Sequence, residues 1–132
     1  MDQLHRNLPA AQQAAEISRF VVRRFAETVG RGPTKARAYL AEDAITVVLR
    51  DTLTKPERLL FEQGHAAALT AARTALQDTL RQPALDGVEL ITDRTVESVH
   101  IDHQLPADIV ALVFVLARKV GSPSATASGA AV

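Results

Sequence analysis

Val29-Gly30-Arg31-Gly32-Pro33-Thr34-Lys35-Ala36-Arg37-Ala38-Tyr39-Leu40 changes its hydrophobic period in mid-course. Upstream of it, Ala14, Ile17, Val21, Phe25 and Val29 recur at three- and four-residue spacing, one apolar stripe on a helix from about Ala10 to Thr28. Downstream, Ala36, Ala38 and Leu40 alternate with Arg37 and Tyr39, the two-residue period of a strand. Gly30 suits a helix stop, and Pro33 forbids continuation. The stretch therefore reads as helix, sharp turn, strand.

The rest of the chain extends that reading in both kinds of element. Ile45, Val47 and Leu49 alternate with Thr46, Val48 and Arg50, and Ala41-Glu42-Asp43 forms the turn of a hairpin over residues 35–50. β-branched content favours strand there. Thr54-Lys55-Pro56-Glu57 has the spacing of a capping box, with Pro56 tolerated in the first turn. Leu59, Leu60, Leu69, Ala72, Leu76 and Leu80 then repeat at helical intervals. Gly64 predicts a bend or a close packing contact. Pro83 predicts a break, followed by a short helix over residues 84–92 that the interior Gly87 weakens. Val96 to His103 and Asp108 to Arg118 read as the last two strands, joined by a turn at Leu105-Pro106-Ala107.

The order α-β-β-α-(α)-β-β predicts an α+β fold: a four-stranded, mainly antiparallel sheet with helices on one face. The last strand is apolar on both sides, with Ile109, Ala111, Val113 and Val115 on one and Val110, Leu112, Phe114 and Leu116 on the other. The side carrying Val110, Leu112 and Phe114 is expected to need a cover, which a homodimer would supply.

A length of 132 residues suggests one domain, and 47% hydrophobic residues suffice for a core. Residues 10–118 are expected to form it, between a flexible segment 1–9 and a disordered Ser/Ala/Gly tail 119–132. With no cysteine, disulfides, thiolate metal sites and cysteine nucleophiles are excluded. The start lacks the apolar core of a signal peptide, and no run approaches the roughly 18 apolar residues of a membrane span. The expectation is a soluble cytoplasmic protein without direct membrane insertion, peripheral to a membrane only through a partner.

Formal net charge is zero, yet the charges are segregated. Arg19, Arg23, Arg24, Arg31, Lys35 and Arg37 stand against Glu27 alone in residues 19–37. Asp86, Glu89, Asp93, Glu97, Asp102 and Asp108 stand against Arg94 alone in residues 86–108. Such patches either bind partners of opposite sign or face each other, within one chain or across a dimer.

Motifs for catalysis are scarce. Gly30-Arg31-Gly32-Pro33-Thr34-Lys35 is not a phosphate loop: it follows a helix and precedes a strand, and Pro33 lacks the N–H that would cradle phosphate. What it leaves is a turn shaped by Gly30, Gly32 and Pro33, and an anion site built from Arg31, Lys35 and Arg37. In His100-Ile101-Asp102-His103, strand alternation puts His100 and Asp102 on one face and His103 on the other. Two ligands on a face make no metal site, His65 being the sole further histidine candidate, and no nucleophile or oxyanion motif accompanies the pair. A strand-end histidine bonded to Asp102 or to backbone is the expected role. Five aromatic residues, four of them on or beside apolar patterns, do not make a stacking platform for single strands; Tyr39 beside Arg37 is the exception. Nucleic acid is thus not an expected partner, and no metal or other cofactor is expected.

Gly-Arg-Gly-Pro-Thr-Lys-Ala-Arg-Ala-Tyr-Leu (residues 30–40) resembles the opening signature of the MpsC-type family, a helix followed by a Gly-x-Gly-Pro turn and a strand hairpin. Leu53-Thr54-Lys55-Pro56-Glu57-Arg58-Leu59-Leu60 is similar to its next block, and Val96-Glu97-Ser98-Val99-His100-Ile101-Asp102 to its late Val-x-His-x-Asp strand. The three blocks lie in order within residues 12–116. The short Gln104-Leu105-Pro106-Ala107 departs from the Ser/Thr-rich turn that the pattern implies. The family name refers to a sodium-translocating, membrane-potential-generating system with links to inorganic-carbon supply. The resemblance implies a non-catalytic soluble accessory protein of such a system, partnered by a membrane transport assembly. It matches at Gly30, Gly32, Pro33, Lys35, Tyr39, His100 and Asp102; together with Arg31 and Arg37 of the basic loop, Lys35, Tyr39, His100 and Asp102 are the expected ligand or partner contacts. The alternative is a module that binds an anionic small molecule or nucleotide through the basic loop.

Overall fold

Helix α1 (Ala10–Val29) stops at Gly30, whose φ of +101° lies in the region glycine enters without strain. Its N–H closes on the Ala26 carbonyl at 2.8 Å, satisfying one of the last helical carbonyls. Ile17, Val21 and Phe25 are the buried stripe of α1, as the spacing predicts. The chain then forms β1 (Lys35–Leu40) and β2 (Ala44–Arg50), helices α2 (Lys55–Glu62) and α3 (Ala66–Thr92), and strands β3 (Val96–Gln104) and β4 (Ile109–Leu116). The computed structural model describes residues 8–118. The expected tail 119–132 lies outside them, as does the expected flexible segment 1–9 apart from Leu8 and Pro9.

The four strands form one antiparallel sheet in the order β1-β2-β4-β3. Helices α1 and α3 cover one face, as the element order predicts for an α+β fold. Ile45, Val47, Leu49, Val110, Leu112 and Phe114 point into that core and meet Ile17, Val21, Phe25, Leu80, Ala84 and Val88. Sixteen of the described residues make up the core, and each fully buried Val, Leu, Ile or Phe among them contributes about 1.5–3 kcal/mol of transfer free energy.

Three expectations need correction. The face carrying Val110, Leu112 and Phe114 is the one the helices cover; the open face carries Ile109, Ala111, Val113 and Val115. Alternation separates the two sets, but both are apolar, so the pattern alone does not say which meets the helices. Pro83 does not break the second helical stretch. Leu80, Ala84, Val88 and Ile91 keep one buried stripe through it, and that packing outweighs the loss of about 3 kcal/mol from a helix-interior proline. The break falls at Gly64 instead, with φ +88°, between α2 and α3. The stripe itself is also rotated. Ala72 is exposed and Leu59 and Leu60 stay outside the core, while Arg73 and Gln77 occupy buried positions between Leu69 and Leu80.

Gly87 is a close-packing position. A Cβ built there would stand 2.0 Å from two ring carbons of Phe20, so the absence of a side chain lets α1 lay its phenyl ring on α3.

Candidate functional site

Among the described residues, chemistry-bearing side chains gather in a buried polar clamp at one end of the sheet and on the open sheet face.

The clamp is centred on Asp108, which follows the β3–β4 turn with φ +56°. Its Oδ2 accepts the N–H groups of Thr52 at 2.7 Å and Leu53 at 2.9 Å. Its Oδ1 accepts the Thr52 hydroxyl at 2.8 Å and lies 2.8 Å from His103 Nε2. A carboxylate only accepts, so the imidazole nitrogen is the donor. Burial alone would raise the Asp108 pKa. The bonds from Leu53, His103 and Thr52 outweigh it and hold the carboxyl below its ordinary value of 3.8.

Thr52 links this carboxylate to a second one. Arg73, 2% exposed, donates to the Thr52 carbonyl at 2.8 Å and to its hydroxyl at 3.3 Å. The same guanidinium grips Glu57 in a fork, Nε to Oε2 at 2.6 Å and an Nη to Oε1 at 2.7 Å. It also lies over the Phe25 ring, 5.6 Å from its centroid. Glu57 thus does two jobs: it closes the capping box with Thr54, and it neutralises a buried arginine. Burial pushes its pKa up, but hydrogen bonds from Arg73 and Thr54 bring it below the ordinary 4.5. Arg58 approaches both Asp51 (3.5 Å) and Asp108 (3.6 Å) at the rim.

Chemically, the clamp is closed. Asp108 already accepts four bonds, and Arg73 donates its nitrogens to Glu57 and Thr52. No atom of the pair is aimed at solvent as a poised acid, base or nucleophile. Its effect is to tie the β2–α2 loop to the β3–β4 turn and to α3. A polar cleft of about 150 Å³ adjoins it, lined by Arg73, Gln77, Arg81, Asp102 and His103 among others. Gln77 Nε2 is buried there without a partner among the described residues.

The sequence pattern places Asp108 only in the acidic run and at the head of the last strand, and it assigns Arg73 no role. A signal for Arg73 exists: it stands four residues after Leu69 and seven before Leu80, on the apolar side of a helix. For Asp108 the signal is weaker, a histidine and an aspartate flanking one turn.

The open face is read from the register. Residues paired across adjacent strands share a face. One row runs Arg37, Val48, Ala111, Asp102; the next, Tyr39, Thr46, Val113, His100; a third, Lys35, Arg50, Ile109, Gln104. The inner strands are therefore apolar apart from Thr46 and, at one end, Arg50; one edge is basic, and the opposite edge carries Asp102 and His100. Most antiparallel sheets with a solvated face alternate to polar residues there; β4 does not.

The candidates from the sequence divide between these features. Lys35, Arg37 and Tyr39 alternate on the basic edge, with the Arg37 guanidinium 5.5 Å from the Tyr39 ring centroid. Arg31 is committed elsewhere: it donates to the Leu53 carbonyl at 2.6 Å and lies 3.8 Å from Asp51. His100 and Asp102 share the far edge but do not bond each other. His100 Nε2 lies 3.0 Å from Ser98 Oγ, and Asp102 accepts from Gln104 at 2.7 Å. The histidine with a carboxylate partner is His103, on the core side. Gly30 ends α1. At Gly32 an added Cβ would meet Val22 at 3.7 Å, an ordinary contact, and Pro33 leads into β1.

Among the described residues no group of three or more His, Cys, Asp or Glu could hold a metal ion, and no helix is long and apolar enough to cross a membrane. No curated protein and no solved structure matches the chain. Residues 10–118, from the first residue of α1 to just beyond β4, match the family described as Na+-translocating membrane potential-generating system (MpsC), and the chain belongs to that family.

Proposed function

We propose that the protein is a non-catalytic accessory component of a sodium-linked membrane-potential-generating system and works by protein contact through its open sheet face. The observation that carries this reading is the pairing of chemistry-bearing groups. The buried ones are saturated by one another in the clamp, whereas the exposed ones frame an apolar surface. A surface with an apolar centre and charged rim suits association, not turnover. Family membership supplies the context, a membrane transport assembly, and the protein is taken to be cytoplasmic and held at the membrane by that partner.

The test is a crosslinked pull-down of the tagged chain from gently lysed native cells, with membranes retained. Recovery of a multi-span ion-transport protein, lost when Lys35→Glu and Arg37→Glu are combined, is the expected result. Equal recovery with the double variant, or recovery of no membrane protein at all, overturns the reading.

A second reading rests on the shallow groove lined by Thr34, Lys35, Arg37, Val48 and Arg50. Three cations there suit an anionic small molecule. A salt-sensitive rise in melting temperature with a nucleoside triphosphate, abolished by Lys35→Ala with Arg50→Ala, would favour it.

A further inference from the structure

The register fixes more than the composition of the open face. Lys35 and Arg37 sit on β1 and His100 and Asp102 on β3, with two strands between them, and in one row Arg37 and Asp102 are the opposite ends. Arg37 and Asp102 are both exposed, and neither joins an ion pair among the described residues. They are the two ends of one row and cannot reach each other: three inter-strand steps of about 4.8 Å separate their backbones.

We propose that the open face is a self-complementary interface with a second copy of this chain, arranged about a two-fold axis that runs along the strands between β2 and β4. That axis lays β1 of one copy over β3 of the other, and β2 over β4. Arg37 then faces Asp102 of the second copy, twice, and Tyr39 faces His100. Val48 meets Ala111 at the centre. Sheets packed face to face keep their strands within about 30° of each other, which preserves these pairings at the length of an arginine side chain. An axis at right angles to the strands would instead lay β1 on β1 and β3 on β3, setting the basic edge strand against the basic edge strand of the second copy. Charge therefore selects one of the two in-plane axes.

The inference rests on reading this face as a contact surface, and it names a second copy as the occupant; the membrane assembly then meets the dimer outside this face, and the Lys35→Glu, Arg37→Glu variant loses it by losing the dimer. Four strands about 4.8 Å apart and roughly seven residues long present about 450 Å² per copy. Twice that is at the low end for specific association, so a dissociation constant in the micromolar range is expected.

The experiment is sedimentation of the full chain at a series of concentrations up to roughly 100 μM, above the constant expected of so small an interface. Arg37→Asp and Asp102→Arg are measured alone and mixed. Alone, each variant places like charges against each other at both ends and should dimerise at least about tenfold more weakly than the original chain. In an equal mixture, the first variant carries a carboxylate at both ends of the row and the second a guanidinium at both ends. Each end of the mixed pair then sets opposite charges together, so dimers return. Unchanged circular dichroism for both variants, whose side chains are exposed, excludes unfolding as the cause. A monomeric original chain throughout the series, dimerisation of the single variants at the original strength, or failure of the mixture to recover each overturns the proposal. A monomer that still recovers the membrane assembly would overturn the dimer and leave the accessory role. A dimer that recovers none would do the reverse.

Discussion

Replacing Asp108 tests whether the clamp is what joins the ends of this fold. In Asp108→Asn the amide oxygen is best placed toward the two backbone N–H groups, which cannot change role. The NH₂ then faces the Thr52 hydroxyl and His103, both of which can switch to accepting. All four bonds of Asp108 survive in neutral form. A charged hydrogen bond contributes about 1.5–3 kcal/mol and a neutral one about 0.5–1.5, so four bonds lose about 4 kcal/mol, offset in part because a buried amide is less costly than a buried carboxylate. The net expectation is a loss of about 2 kcal/mol. Asp108→Ala cannot adapt. It strands the N–H groups of Thr52 and Leu53, at about 1–3 kcal/mol each, and adds about 1 kcal/mol for alanine at positive φ. A loss of about 5 kcal/mol is expected. Urea unfolding followed by circular dichroism measures both. The pH dependence supplies an internal check. The folded pKa of Asp108 lies below its ordinary 3.8 and that of Glu57 below 4.5, so their stabilisation is complete above those ordinary values. It is lost as pH falls through them toward the lower folded values. Asp108→Asn should flatten this acid-side slope. If alanine costs no more than asparagine, or the slope is unchanged, the clamp is not holding the fold as described.

Two further substitutions probe the packing. Arg73→Lys keeps the charge but cannot fork onto Glu57 while also reaching Thr52; a loss of about 2–3 kcal/mol in urea unfolding is expected, and Arg73→Ala should cost more, about 3–5 kcal/mol. Gly87→Ala should be neutral or lose up to about 1 kcal/mol, since the Phe20 ring is displaced while helix propensity improves by a similar amount. In a Phe20→Ala background the same change should stabilise by up to about 1 kcal/mol, and a double-mutant cycle with no coupling between the two positions would contradict the close contact.

Local signals in the sequence were sufficient wherever one residue decides one turn. Gly30 ends α1, Thr54 and Glu57 cap α2, and alternation sets all four strands to within a residue or two. The misses share a cause. Pro83, the phase of α3 and the choice of covered face are settled by tertiary packing, which a local pattern does not encode. The site was half legible for the same reason. Alternation groups Lys35, Arg37 and Tyr39 on one strand and His100 and Asp102 on another, while the strand register puts both groups on one face. The bonds of Arg31 to Leu53, and of His103 to Asp108 rather than His100 to Asp102, depend on where the β2–α2 loop crosses the sheet end.

The most direct test of the open face as a contact surface is photo-crosslinking in native cells. A benzophenone amino acid replaces Thr46, at the middle of the face, and in a parallel strain replaces Thr79, exposed on α3. If the face works by contact, Thr46 should yield products that include a species of twice the 14.2 kDa chain mass, and Thr79 should yield none of them. Uncrosslinked chain alone at Thr46, or the same products from Thr79, would contradict it.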